Sequence, residues 1–207
     1  MNPPESRRPL ASRSTRWARF LASSAVRAGI TADAISILSM VCAAAGAAAL
    51  LWMTRPWNLL AAAACVQLRL LCNLIDGMVA IEGGKKSKVG ALYNEVPDRV
   101  ADSLFLVSLG YTIGIPWLGW LAALAAAVTA YIRVLGGTLG LLQDFRGPQA
   151  KQHRMAVMTA GCLLGAVEFY WTGGQRIVEA AAWIIAIGTI VTCGTRIRAI
   201  SGQLKAR

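Results

Sequence analysis

The chain has 207 residues, of which 56% are hydrophobic and only 15% are charged, and its mean hydropathy is +0.53. This composition excludes an ordinary soluble domain and favours a protein whose solvent is the lipid bilayer. The formal net charge of +11 lies mostly in short polar connections, so no nucleic-acid-binding surface is predicted.

The first predicted element is a short amphipathic helix at the end of an arginine-rich segment, residues 1–29. Apolar and basic side chains are interleaved there, with Trp17, Phe20 and Leu21 against Arg16, Arg19 and Arg27. Such a helix lies in the plane of an anionic membrane surface, with its apolar face toward the lipid. We favour this interpretation over a targeting peptide.

Six apolar stretches follow, and each approaches the roughly 20 residues that a membrane-spanning helix needs. They are Ala32–Trp52, Trp57–Ile81, Leu92–Gly114, Pro116–Leu135, Met155–Trp171 and Val178–Cys193. The predicted fold is therefore all-α and polytopic, with six transmembrane helices in one domain over residues 30–200. Residues 201–207 are predicted to form a short basic tail.

The basic residues orient these spans. With the N-terminus inside, sixteen lysines and arginines fall on the inner side, whereas only Arg55 and Arg176 fall outside. Because cytoplasmic loops carry an excess of lysine and arginine, both termini are predicted to be cytoplasmic. The expected location is a bacterial inner membrane.

Polar residues form two stripes inside the second and third spans, where charges are costly and usually mark a functional site. The stripes consist of Arg69, Asn73, Asp76 and Ala80, and of Gly90, Asn94, Asp98 and Asp102. Spacings of three and four residues place each set on one helix face. Because the two spans are antiparallel and closely connected, the stripes are predicted to face each other near the cytoplasmic boundary.

Two interpretations of this cluster remain open on the residues alone. Carboxylate and amide oxygens without a nearby histidine or cysteine favour a hard cation such as Mg²⁺ or Mn²⁺. Alternatively, Asp98 and Asp102 form structural ion pairs with Arg69, Arg99 or Arg133 inside the bundle.

The same residues resemble the signature of a known family. Asn73-x-x-Asp76-Gly77-x-x-Ala80, followed by Gly90-x-x-x-Asn94-x-x-x-Asp98, is similar to the pattern D-x-x-D-G-x-x-A-R and G-x-x-x-D-x-x-x-D of the CDP-alcohol phosphatidyltransferases. The spacing between Asp76, Gly90 and Asp98 matches that pattern without gaps. The six-helix architecture of the family covers nearly the whole chain.

The resemblance implies an enzyme of phospholipid biosynthesis. It would transfer the phosphatidyl group of CDP-diacylglycerol to an alcohol and release CMP, as a homodimer among membrane lipids, with glycerol 3-phosphate as the first choice of acceptor. The implied ligands for one or two Mg²⁺ or Mn²⁺ ions are Asn73, Asp76, Asn94 and Asp98. Asp98 is also the implied general base, and the residues small enough to admit the CDP-lipid are Gly77, Ala80 and Gly90.

The chain departs from the family pattern at three positions. Asn73 and Asn94 stand where the family has aspartates, and Ile81 replaces the arginine. Each asparagine removes one negative charge from the site. A second register, displaced by one helical turn of about 6 Å, makes Asp102 the base and a ligand, and it keeps Asp98 as a ligand.

Three further basic residues are candidates for holding phosphate groups of the CDP-lipid or the acceptor. They are Arg133 in the fourth span, and Lys151 and Arg154 in the long connection predicted over residues 136–154. For Lys151 and Arg154, plain positive-inside topology is an equal explanation.

Two other functions remain alternatives to the enzyme. The two asparagines suit a catalytically impaired protein that binds CDP-lipid, and the polytopic fold suits a small transporter. The absence of an internal sequence repeat and the position of the acids near one membrane face disfavour transport.

Overall fold

The structure is a computed structural model that describes residues 15–82 and 90–206, with the side chains of residues 81, 82, 90, 91, 93 and 94 outside the description. The basic loop predicted around Lys85, Lys86 and Lys88 also lies outside the described residues. The helices are α1 (Arg16–Arg27), α2 (Ala32–Trp52), α3 (Trp57–Glu82), α4 (Gly90–Thr112), α5 (Pro116–Thr138), α6 (Lys151–Thr172) and α7 (Arg176–Lys205). No strand occurs in the described ranges, so the all-α prediction is confirmed.

The amphipathic helix α1 lies beside α3. Ala18 and Ala22 are completely buried in a cluster with Leu74 and Met78 of α3, because their small side chains let the two helices approach closely. Trp17, Phe20 and Leu21, the residues predicted to contact lipid, are exposed, and so are Arg16, Arg19 and Arg27. The face of α1 that packs against α3 consists of small residues that the prediction did not use.

Five of the described helices are long and apolar enough to cross a membrane, namely α2, α3, α5, α6 and α7. The protein is thus a polytopic membrane protein. The remaining predicted span, the third in chain order, corresponds to α4, which has 23 residues but carries Glu95, Asp98 and Arg99 in its first half and Asp102 near its middle. These charges lower its hydropathy, so the count of six spans is not confirmed by composition.

Small residues bring α4 and α5 into backbone contact at the end of the bundle away from these charges. A Cβ atom added to Gly119 would lie 2.6 Å from the carbonyl oxygen of Leu106, and one added to Gly110 would lie 2.7 Å from the Gly119 Cα. Membrane helices use such glycine contacts because lipid supplies little hydrophobic drive for helix association.

Two helix starts are fixed by side-chain caps. Thr31 accepts a hydrogen bond from the Ala34 amide at 3.2 Å and thereby caps the N-terminus of α2. The carboxylate of Glu168 accepts from the amides of Arg176 and Ile177 at 3.0 and 2.8 Å. It therefore satisfies the free N–H groups at the start of α7.

The connection between α5 and α6 is shorter than predicted. Helix α5 continues to Thr138 and α6 already begins at Lys151, so the connection covers residues 139–150 instead of 136–154. Lys151 and Arg154 consequently lie in the first turn of α6, not in a loop. Residues 201–205, predicted as a tail, continue α7.

Candidate active site

The two predicted stripes meet through polar side chains that reach between α3 and α4. Asn73 Nδ2 donates to Asp98 Oδ1 at 3.0 Å, and Arg69 Nη2 donates to the same oxygen at 3.2 Å. Arg69 Nη2 also lies 2.7 Å from Asp102 Oδ1, and its side chain is 0% exposed. Arg69 therefore joins the two aspartates of α4, as the interpretation of the cluster as structural ion pairs expected.

Asp76 lies on the same face of α3 and is held from α2. Ser36 Oγ donates to Asp76 Oδ2 at 2.9 Å, and Asp76 is within electrostatic range of Asp98 and Lys151. The neighbouring positions Gly77 and Ala80 are only partly buried, as a nucleotide approaching the helix backbone would require. The side chain of Asn94 lies outside the description, as does the surface around Gly90.

Helix α6 adds two cations to the acidic pair. Lys151 Nζ lies 2.5 Å from Asp98 Oδ2, and the Lys151 side chain is 25% exposed. Arg154 Nη2 donates to Asp102 Oδ2 at 3.0 Å, and Arg154 Nη1 donates to the carbonyl oxygen of Gln149 at 2.8 Å. The Arg154 side chain is 1% exposed, so its contacts in this structure are with the protein itself.

Arg133 belongs to a second basic region nearby. Its guanidinium forms an ion pair with Glu95, and its Nη1 donates to Gln143 Oε1 at 2.6 Å. The guanidinium carbon lies 5.4 Å from the centre of the Phe145 ring, within the range of a cation–π contact. These contacts tie α5 to α4 and to the 139–150 loop.

The 139–150 loop is anchored by an arginine that the sequence analysis did not select. Arg196 of α7 is buried, and it donates from Nη1 to the Thr129 carbonyl at 2.7 Å and from Nε to the Arg146 carbonyl at 2.9 Å. Burial alone would raise the pKa of Asp144, but hydrogen bonds from Arg146 outweigh it and hold that pKa below its usual value. The only sequence signal for Arg196 was its position just after an apolar span.

The oxygen donors of the site suit a hard divalent cation. Asn73, Asp76 and Asp98 offer carboxylate and amide oxygens, the ligands that Mg²⁺ and Mn²⁺ prefer. Within the described ranges no three His, Cys, Asp or Glu side chains converge closely enough to hold a metal ion.

The charge of the site sets how many ions fit. Four cations, Arg69, Arg99, Lys151 and Arg154, lie around three carboxylates, Asp76, Asp98 and Asp102. At the four motif positions, Asn73 and Asn94 leave two carboxylates, whose charge balances one divalent ion, whereas the four aspartates of the family pattern would balance two. The residues present therefore fit one divalent ion and do not fit a pair.

A helical membrane bundle with these oxygen donors and cations at one end is the architecture of an enzyme acting on phosphorylated lipid precursors. The sequence model of the CDP-alcohol phosphatidyltransferases matches residues 29–194. The chain belongs to the CDP-alcohol phosphatidyltransferase family. The family and the enzyme class predicted from the sequence are thereby confirmed.

Individual relatives are similar over most of the chain. The phosphatidylinositol phosphate synthase of Mycobacterium marinum is 28% identical over 184 residues, which cover 86% of this chain and 76% of that protein. The archaetidylinositol phosphate synthase of Aeropyrum pernix is 29% identical over 171 residues, covering 82% of each.

Solved structures confirm the fold. The crystal structure of the Mycobacterium tuberculosis phosphatidylinositol phosphate synthase with CDP-DAG bound has a TM-score of 0.75 at 24% identity, covering 90% of this chain and 94% of that one. The same synthase in complex with manganese and citrate has a TM-score of 0.74 at 24% identity, covering 88% of each chain.

Proposed function

We propose that the protein transfers the phosphatidyl group of CDP-diacylglycerol to a hydroxyl of an inositol phosphate and releases CMP. The proposal rests on Asp98, which accepts a hydrogen bond from the motif residue Asn73 and pairs with Lys151, because these contacts bring an acid and a candidate phosphate-binding cation together. Inositol phosphate replaces glycerol 3-phosphate as the acceptor, since the similar proteins are a phosphatidylinositol phosphate synthase and an archaetidylinositol phosphate synthase.

We assign different roles in this reaction to Asp98 and Asp102. The acceptor oxygen forms a bond to the phosphorus of the phosphatidyl group, the bond to CMP breaks, and the hydroxyl proton passes to a carboxylate. Asp98 is the better base because its side chain is 13% exposed, against 2% for Asp102. Asp102 holds Arg69 and Arg154 in place.

One Mg²⁺ or Mn²⁺ ion completes the proposed site. Its ligands would be Asn73, Asp76, Asn94 and Asp98, with each asparagine offering its carbonyl oxygen. When bound, the ion supplies positive charge that stabilises the departing CMP. The relative solved with manganese supports this choice of cofactor.

The remaining predicted residues are assigned by their exposure and contacts. Gly77, Ala80 and Gly90 leave room for the nucleotide beside the helix backbones. Arg133 lies beside the 139–150 loop with its side chain 13% exposed, and we assign it to the phosphate of the acceptor. Arg154 is a positioning residue, because its guanidinium is buried against Asp102.

The proposed topology places this chemistry on the cytoplasmic side of a bacterial plasma membrane, with both termini inside and the protein as a homodimer. The asymmetry of the basic residues supports the topology, and the family resemblance supports the dimer. Fluorescent protein fused to the C-terminus should fluoresce, whereas alkaline phosphatase at the same position should be inactive. Active alkaline phosphatase would contradict the orientation.

Purified protein with radiolabelled CDP-diacylglycerol, Mg²⁺ or Mn²⁺, and separate acceptors tests the function. CMP release should depend on inositol phosphate, exceed that with glycerol 3-phosphate or serine, and be lost in Asp98→Asn. A lipid product with glycerol 3-phosphate alone would refute the acceptor. Binding of CDP-diacylglycerol without CMP release under any condition would identify a catalytically impaired protein, and uptake of solute into vesicles would identify a transporter.

A further inference from the structure

The first turn of α6 carries charges of the wrong sign for a helix start. Lys151, His153 and Arg154 are basic, and the turn contains no acid. The partial positive charge at a helix N-terminus favours acids there and disfavours cations. A sequence that breaks this local rule points to a functional requirement, and the contact of Lys151 with Asp98 indicates what it is.

Protein groups approach both oxygens of Asp98. Arg69 and Asn73 donate to Oδ1, and Lys151 Nζ lies 2.5 Å from Oδ2. The family pattern has an aspartate at position 73, which would attract a metal ion at this point. Here the asparagine amide donates to Asp98 instead, so protein groups supply positive charge and hydrogen bonds to Asp98 where the family pattern would place a metal ion.

We infer that the Lys151 ammonium takes the place of the second divalent ion of the site. One ion is held by the remaining oxygen donors, and Lys151 neutralises the diphosphate of the CDP-lipid on the other side. The inference rests on the proposed function for the identity of the donor. It also explains how the site keeps a balanced charge although the neutral residues Asn73 and Asn94 stand where the family has aspartates.

Lys151 suits this task better than the neighbouring cations. Arg69 and Arg154 have side chains that are 0% and 1% exposed, so neither can reach a substrate without breaking buried ion pairs. Arg99 is as exposed as Lys151 but lies 3.8 Å from Asp98 Oδ2. A lysine ammonium is a compact point charge on a flexible stem, which lets it exchange Asp98 for a phosphate oxygen.

The number of Mn²⁺ ions bound per chain tests the inference. Purified protein in mixed micelles containing CDP-diacylglycerol, without acceptor, should saturate at one Mn²⁺ per chain by electron paramagnetic resonance titration. The triple variant Asn73→Asp, Asn94→Asp, Lys151→Met restores the aspartates and removes the ammonium, and it should saturate at two. A wild-type count of zero or two, or a folded triple variant that stays at one, would overturn the inference.

Binding of CDP-diacylglycerol gives a second readout. Lys151→Met should weaken it by about 10- to 100-fold, the usual effect of losing one charge-assisted contact. Lys151→Arg should retain more of the affinity, and the exposed Lys205→Met is the control that should change nothing. Undiminished affinity in Lys151→Met would refute the role. Because the wild-type ion count needs neither a variant nor turnover, it remains decisive even if the chain releases no CMP.

Discussion

Replacing Asp102 by asparagine should lower the thermal stability of the protein, and we do not expect an inactive variant with wild-type stability. Asp102 joins Arg69 through Oδ1 at 2.7 Å and Arg154 through Oδ2 at 3.0 Å. Asparagine keeps the size of the side chain but removes its charge. Two buried guanidiniums would then lose their closest carboxylate in one substitution.

The cost follows from what each arginine retains. Arg69 would keep Asp98 at 3.2 Å, and Arg154 would keep only neutral oxygens, chiefly the Gln149 carbonyl at 2.8 Å. Breaking a buried ion pair by removing one partner costs about 3–5 kcal/mol. For a chain of this size, that corresponds to a fall in Tm of about 6–20 °C.

The measurement is thermal unfolding of the purified protein in a mild detergent, with the CMP-release activity recorded on the same samples. Asp33→Asn is the matched control, because it removes the same charge from the first turn of α2, where the effect should stay near about 1 kcal/mol. Adding Arg154→Met to Asp102→Asn should recover part of the lost Tm. A wild-type Tm in Asp102→Asn with activity abolished would refute this reasoning and support Asp102 as the base.

Three other substitutions test separate parts of the structure. Asp98→Asn should lower the rate of CMP release by about 10²–10⁴-fold with an unchanged elution volume in size-exclusion chromatography; near-normal turnover would remove Asp98 from the mechanism. Glu168→Gln should cost about 1 kcal/mol through the weakened cap of α7, measured as a lower Tm, whereas an equal loss in Glu179→Gln would point to a general charge effect. The lowered pKa of Asp144 means that its stabilisation is complete above about pH 4 and is lost as the pH falls through the lowered pKa. The Tm difference between wild type and Asp144→Asn should therefore shrink below about pH 4, and a constant difference would contradict this role.

The sequence predicted a helix boundary well wherever the residues that fix the boundary are close to it in sequence. Ala32–Trp52 has the predicted bounds because Thr31 caps it, and α5 begins at Pro116 as expected. The start of α7 was placed two residues late because its cap, Glu168, comes from the preceding helix. The start of α6 was placed four residues late because its first turn is cationic, against the usual preference of a helix N-terminus.

The site was predictable to the extent that it depends on helix periodicity. The spacing of Asn73 and Asp98 within their helices predicted the contact between the two stripes, and the structure shows it. The pairing of Lys151 with Asp98 and of Arg154 with Asp102 depends on where the packing of α6 against α3 places the first turn of α6. No periodicity within one segment contains that information, so these residues were predicted as phosphate ligands without their acidic partners.

The charged residues of α4 make this helix polar and also form the site. The substitution Asp102→Leu separates the effect on membrane insertion from the effect on the folded bundle. Asp102 is the thirteenth of the 23 residues of α4, near its middle, where a charge costs about 2.5–3.5 kcal/mol on insertion scales. In the isolated segment of residues 90–112, Asp102→Leu should therefore increase membrane insertion, as measured by glycosylation mapping. In the full chain the same change should lower the Tm, because Arg69 and Arg154 lose their shared carboxylate. Improvement in both assays would show that Asp102 contributes nothing to the folded bundle, and the assignment of Arg154 as a positioning residue would fail with it.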